Sequence, residues 1–152
     1  MKSIHVAALV LLAGPAGAAC GPETVTVKGD WGLAHFTVDV ADTNAERAQG
    51  LMFVEEMPTL KGMLFVYDAP QRATFWMRNT LIPLDMIFVG PDGVIKTIHE
   101  NAVPLDETTI DGGDGVQAVL EINGGLAARL GISAGDVLQH PAFGPDAALP
   151  CE

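Results

Sequence analysis

Six side chains stand out as able to do chemistry: Trp76, Arg78, Asn79, Asp85, His99 and Glu100. The first four lie in one stretch, Phe75 to Val89, which also carries two of the six Phe and two of the six Met. An Arg, an Asn and an Asp set into that much apolar surface are costly to bury unless they are paired or hydrogen-bonded. Two arrangements satisfy them. Arg78 and Asp85 bracket the connection Asn79–Leu84 and meet across it as a charge-assisted pair, with Asn79 and Thr80 serving the turn backbone. Alternatively, the same groups form the polar floor of a pocket whose apolar wall is Trp76 and Met77.

His99, Glu100 and Asn101 end a predicted strand. Asp85 with His99 or Glu100 makes an acid/base pair of the kind a hydrolase uses. Neighbouring strand residues point to opposite faces, so His99 and Glu100 do not converge on one metal ion. Asp111-Gly112-Gly113-Asp114-Gly115 lacks both the ligand spacing of a calcium loop and the Gly-Lys-Ser/Thr of a phosphate loop, and reads as a turn. No Gly-x-Ser-x-Gly is present, and no base–nucleophile pattern surrounds a Ser or Cys. No catalytic residue, cofactor or metal is assigned from these patterns.

The net charge of −11 argues against nucleic acid and anionic membrane surfaces as partners, because phosphate binding needs a basic patch. A small molecule, a glycan or a protein remains as partner.

Residues 1–18 read as a secretory signal segment: a basic start with Lys2, a short apolar run from Val6 to Leu12, a Gly14-Pro15 break and a small-residue cleavage site after Ala18 or Ala19. The run is far below the ~20 residues of a membrane helix, and no later stretch is long enough, so the mature form is expected to have no membrane span. Removing Lys2 leaves 7 basic against 19 acidic residues, a net −12 (7 − 19). The expected location is periplasmic or secreted. In such a compartment the two cysteines, Cys20 and Cys151, read as a disulfide. The alternative is a lipid anchor through Cys20, although Gly17-Ala18-Ala19-Cys20 lacks the Leu usual three residues before the acylated cysteine.

These residues must be positioned by many short elements, as 17 Gly and 10 Pro spread along the chain suggest. Strands are predicted at Thr24–Lys28, Ala34–Val40, Met63–Tyr67, Arg72–Arg78, Asp85–Val89, Val94–His99, Val116–Ile122 and Asp136–Gln139. Thr43 with Glu46 is a capping box, predicting a short helix over Ala45–Gln49, and a second follows at Leu126–Leu130. Leu51–Val54 is expected as a short extended piece and the tail from Pro141 as extended. The fold class is mainly β: a single-domain antiparallel β-sandwich or partly closed barrel with two short helices, the alternative being an α+β layer fold. The organisation is 1–18 signal segment, 19–33 N-terminal segment with the first strand, 34–140 β domain, and 141–152 C-terminal tail.

Several ordered motifs carry a resemblance. They are Val38-Asp39-Val40-Ala41-Asp42-Thr43, Glu46 through Phe53, Gly62-Met63-Leu64-Phe65, Phe75 through Thr80, Pro83-Leu84-Asp85, Ile98 through Asn101, and Val119-Leu120-Glu121 with Ala127 through Ile132 and Gly135-Asp136. Together they resemble the prokaryotic family catalogued as domain of unknown function 192, over about residues 34 to 139. The resemblance implies a compact, mainly β, jelly-roll-like domain, secreted or membrane-tethered, with no family catalytic set to carry over. Cysteines found in some relatives after the Glu-Asn pair are missing here, where the chain reads Pro104-Leu105-Asp106-Glu107. The functional expectation is a non-enzymatic binding domain, with a hydrolase and a structural or assembly module as alternatives.

Overall fold

Alternating Thr and Val build β1 (Thr24–Gly29), which turns back as β2 (Gly32–Ala41) with Val25 opposite Phe36 and Val27 opposite Ala34. The computed structural model describes residues 20–152, so the expected signal segment, residues 1–18, lies outside the described residues. After β2 the capping box closes as the sequence predicts. The Thr43 side chain accepts the Glu46 amide at 3.2 Å and the Glu46 carboxylate accepts the Thr43 amide at 3.1 Å, starting α1 (Asn44–Gln49). The Thr43 amide, joined by that of Asp42 at 3.1 Å, holds the Glu46 carboxyl below its ordinary range.

The chain returns as β3 (Lys61–Gln71), then β4 (Thr74–Phe75), β5 (Leu84–Val89), β6 (Ile95–Ala102), β7 (Ile110–Asp111), β8 (Val116–Asn123), α2 (Leu126–Leu130) and β9 (Val137–Gln139). Seven strands make one sheet in the order β6-β5-β8-β3-β2-β1-β9, while β4 and β7 pair as a separate ribbon. The sheet curls into a half-barrel. Its far edges approach each other where Val94 bridges Val137, the Ile95 amide donates to the Asp136 carbonyl, and the Leu138 amide donates to the Gly93 carbonyl, both at 2.8 Å. The expected mainly β fold with two short helices is the one observed. One pairing departs from an all-antiparallel sheet: β2 and β3 run parallel. The segment between them, with α1 in it, is long enough to carry the chain back to the starting end, which parallel pairing requires.

Three local expectations change. The strand predicted over Arg72–Arg78 shrinks to Thr74–Phe75, because the backbone on either side bonds to loops: the Ala73 amide to the Gly113 carbonyl and the Met77 amide to the Asp106 carbonyl. Leu51–Val54 is a turn, with Phe53 at φ 65°. The tail is not simply extended. Pro141–Phe143 forms a 3-10 turn, and Phe143 and Ala147 are buried. His140 fixes that turn: its Nδ1 accepts the Ala142 amide at 3.0 Å, which leaves Nε2 to donate to the Pro22 carbonyl at 2.8 Å. Burial lowers the proton affinity of His140, in keeping with that neutral tautomer. Beside it, Cys20 and Cys151 are joined by a disulfide, their Cα atoms 5.7 Å apart.

The two faces of the sheet carry separate cores. Val25, Val27, Phe36, Val38, Leu64, Ile87, Leu120, Ile122 and Leu138 fill the inner face with α2 and the tail. On the other face, Phe65, Met86, Phe88 and Val119 pack with Leu51, Ala73 and Met77 under α1 and the β4–β7 ribbon. The alternation along β8 feeds both: Ala118, Leu120 and Ile122 point one way, Val119 and Glu121 the other.

Candidate functional site

Asp85, central to the sequence reading, is wholly buried and accepts three backbone amides at 2.9 Å each. The Asn101 and Gly125 amides reach Oδ1, and the Ala127 amide reaches Oδ2. Helix α2 has no side-chain cap of its own, since Gly125 occupies its N-cap. Asp85 supplies that cap from β5, satisfying donors that the first helical turn leaves over. Its partners are therefore not those expected. Arg78 does not pair with Asp85; it lies 3.9 Å from Glu107 and its guanidinium sits 5.4 Å from the Trp76 ring centre. The carboxylate is spent on amides, so it is not placed to act as an acid or base with His99 or Glu100. Both of those side chains are exposed on β6.

Asn79 is also a structural residue. It adopts φ 52°, its carbonyl accepts the Phe53 amide at 2.8 Å, and its side-chain amide points at the Met52 sulfur, 3.9 Å away. Thr80, buried, donates to the Arg78 carbonyl at 3.1 Å, as expected of a residue serving this turn. Trp76, 46% exposed, and Arg78 do reach a cavity, but its floor comes from elsewhere.

That cavity, of about 410 Å³, opens between α1, β3 and the β4–β7 ribbon. Phe65, Tyr67, Phe75 and Trp76 give it aromatic walls, and Glu121 lies at its floor. The walls are held in place. Phe75 packs edge-on against Phe65, with ring centres 5.1 Å apart, and against Phe88 at 5.9 Å. Arg47 on α1 donates to the Asp42 and Val66 carbonyls and to Asn44 Oδ1, all at 2.7 Å, and its guanidinium lies 5.5 Å from the Tyr67 ring centre. Arg72 on the opposite side is paired with Asp111 and, at 3.2 Å, with Asp114.

Glu121 is 4% exposed. It occupies a central strand, and its lateral neighbours in the sheet are Met63 on β3 and Met86 on β5, neither able to donate a hydrogen bond to it. Burial alone pushes its carboxyl up to about 8, so it is neutral at pH 7. Burial likewise raises the Tyr67 phenol, with the Arg47 charge acting in the opposite direction. A protonatable carboxyl at the base of an aromatic cavity can donate one hydrogen bond or, once ionised, hold a cation. Among the described residues, no three His, Cys, Asp or Glu side chains gather as a metal site would require.

Of the six residues singled out by sequence, the structure thus brings Trp76 and Arg78 to the cavity and gives Asp85 and Asn79 to the scaffold. His99 borders a separate, smaller hollow with Met77 and Asp106. Glu121, Tyr67 and the α1 contribution were missed. The signal for Glu121 was present: it is the one charged residue in the strand Val116–Ile122.

Comparison with known proteins places the chain among proteins that are themselves uncharacterised. Two crystal structures share the fold. One, a protein of unknown function from Novosphingobium aromaticivorans, is 48% identical, with a TM-score of 0.75, over 87% of this chain and 99% of that one. The other, described as a putative transcription regulator from Sinorhizobium meliloti, is 41% identical, with a TM-score of 0.77, over 84% of this chain and 99% of that one. No curated protein matches the sequence. The model of one family, DUF192, described as "Uncharacterized ACR, COG1430", matches residues 24–140, and the chain belongs to that family.

Proposed function

We propose that this protein is a non-enzymatic, extracytoplasmic domain that binds a small organic molecule in the cavity between α1, β3 and the β4–β7 ribbon. One observation carries the reading: the buried Glu121 carboxyl opens on an aromatic-walled cavity and, among the described residues, has no hydrogen-bond partner. Core positions are normally apolar or satisfied, so an ionisable group left in this state is a cost that a ligand offsets. The cavity also has the proportions and the mix of apolar wall and few polar groups that small-molecule sites have. The hydrolase alternative has lost its main support, because Asp85 is engaged by three amides. The regulatory description attached to the S. meliloti relative is not carried over, since a net charge of −11 opposes contact with nucleic-acid phosphates.

The periplasmic or secreted location is part of the proposal and is supported by the Cys20–Cys151 bond, a linkage that oxidising compartments favour. That bond and lipidation of Cys20 exclude one another, since each uses the same sulfur.

The test is calorimetric titration of the purified domain with a panel of amines, amino acids, sugars and nucleosides. Hits are then repeated on Trp76→Ala and Phe75→Ala. Binding that weakens about tenfold or more in both variants supports the cavity. A panel without a single hit, or hits indifferent to both substitutions, would sink the proposal.

A further inference from the structure

We infer that the cavity takes an organic cation, and that Glu121 is its counter-ion, giving up a proton as the ligand's charged nitrogen seats on its carboxylate. This rests on the cavity being a binding site and adds the chemical class of its ligand.

The argument begins with what surrounds Glu121. Across the sheet it is flanked by Met63 and Met86, and beyond Met86 the same register row reaches His99 on exposed β6. From α1 the charge that lines the cavity is Arg47, whose guanidinium donates to the Asp42 and Val66 carbonyls and to Asn44. From β3 comes the phenol of Tyr67. From the ribbon side come Arg72, held by Asp111 and Asp114, and Arg78, which leans on Trp76 near Glu107. None of these offsets the burial of Glu121, which alone sets its proton affinity.

A buried carboxyl can be satisfied in two ways. As the neutral acid it donates one hydrogen bond and leaves its carbonyl oxygen unmatched. As the carboxylate it needs a positive charge, and an ammonium group then serves both oxygens with charge-assisted bonds. The walls favour the second. Tyr67 and Trp76 already each face an arginine of the protein, Arg47 and Arg78, and Phe65 and Phe75 add aromatic rings of the same kind, whose negative faces attract cations most strongly where water is excluded. The net charge of −11 raises the local concentration of cations around the molecule and repels anions.

The exchange balances without a further reactant. The Glu121 O–H bond breaks, the proton leaves to water, and the carboxylate pairs with the arriving ammonium. Because the free carboxyl is held up to about 8, affinity for a permanently charged amine falls about tenfold for each pH unit below that value and levels off above it.

The probes are n-butylammonium, n-butyrate and 1-butanol, which share a four-carbon body and differ in charge. They are titrated into the wild-type protein in two non-cationic buffers of different ionisation enthalpy. The expected result is that n-butylammonium binds with release of close to one proton at about pH 7 and almost none at about pH 9. The same probe should lose at least about tenfold in affinity with Glu121→Gln, which keeps shape and removes the charge. Butanol binding as well as n-butylammonium, with Trp76→Ala weakening it, overturns the cation while leaving the cavity as a site. Binding of n-butylammonium without proton release also overturns it. If none of the three binds while other members of the broad panel do, the inference falls alone; if nothing binds at all, both fall.

Discussion

Asp85 Oδ2 accepts the Ala127 amide at 2.9 Å, joining a central strand to the first turn of a helix 42 residues further on. With the two amides on Oδ1, the carboxylate holds β5, the end of β6 and α2 in one register. An aspartate in a buried strand thus serves as the missing cap of a distant helix.

Asp85→Ala should therefore be among the more damaging substitutions, costing about 3–5 kcal/mol, because it leaves three amides without their acceptor. Urea unfolding of the variant measures it. His99→Ala and Glu100→Ala, on the exposed strand nearby, should stay within about 0.5 kcal/mol of wild type. A mild Asp85→Ala phenotype would show that water replaces the carboxylate there.

Glu121→Gln should do the reverse. The Glu121 carboxyl is raised from 4.5 to about 8 on folding, so the folded state holds its proton more tightly than the unfolded chain. That contribution is fully present below pH 4.5 and is lost as pH rises toward 8, where the unfolded chain ionises freely and the folded one does not. Glutamine removes the penalty. The variant should match wild type near pH 4 and gain on it with rising pH, by on the order of 3 kcal/mol at pH 7. Thermal unfolding across pH reads this directly, and parallel stability curves for the two proteins would refute it.

Reduction of Cys20–Cys151, or replacement of both residues by Ser, should lower stability by about 4–5 kcal/mol in the chain-entropy view, given a separation of 131 residues. Denaturant midpoints with and without reductant make the comparison. The protein with both cysteines intact, expressed from the full sequence, should lack a lipid by intact mass.

Gly112→Ala should loosen one cavity wall. A Cβ at residue 112 would run into the Phe88 ring, and the Gly112 amide already donates to the Ala73 carbonyl at 2.8 Å. Pushing β7 away should cost about 1–3 kcal/mol and weaken ligand binding as well, which calorimetry of the purified variant records.

How much of this was legible differs by kind of feature. The capping box at Thr43 and Glu46 depends on residues three apart, and the helix it announced is present. The β5–β6 pairing follows from alternation and a turn at Pro91–Gly93, which is equally local. The parallel β2–β3 pair was not legible, because it depends on where a connection of some twenty residues leads the chain. The partners of Asp85 were mistaken for a related reason. Arg78 is close in sequence, but the amides that claim Asp85 come from residues 101, 125 and 127, brought there by sheet order. Glu121 could be seen as anomalous in its strand. That it faces a cavity required knowing that α1 and the β4–β7 ribbon stand on that side of the sheet.

The disulfide has a consequence beyond the constraint it places on the unfolded chain. With Cys20 tied to Cys151, residues 20–151 form a closed ring of backbone and sulfur. A protease that cuts any one exposed loop opens the ring without releasing a fragment, and both halves stay tethered while the sheet holds. Limited proteolysis should therefore first yield a nicked species heavier by one water, and separate fragments only after the bond is reduced and the sheet unfolds.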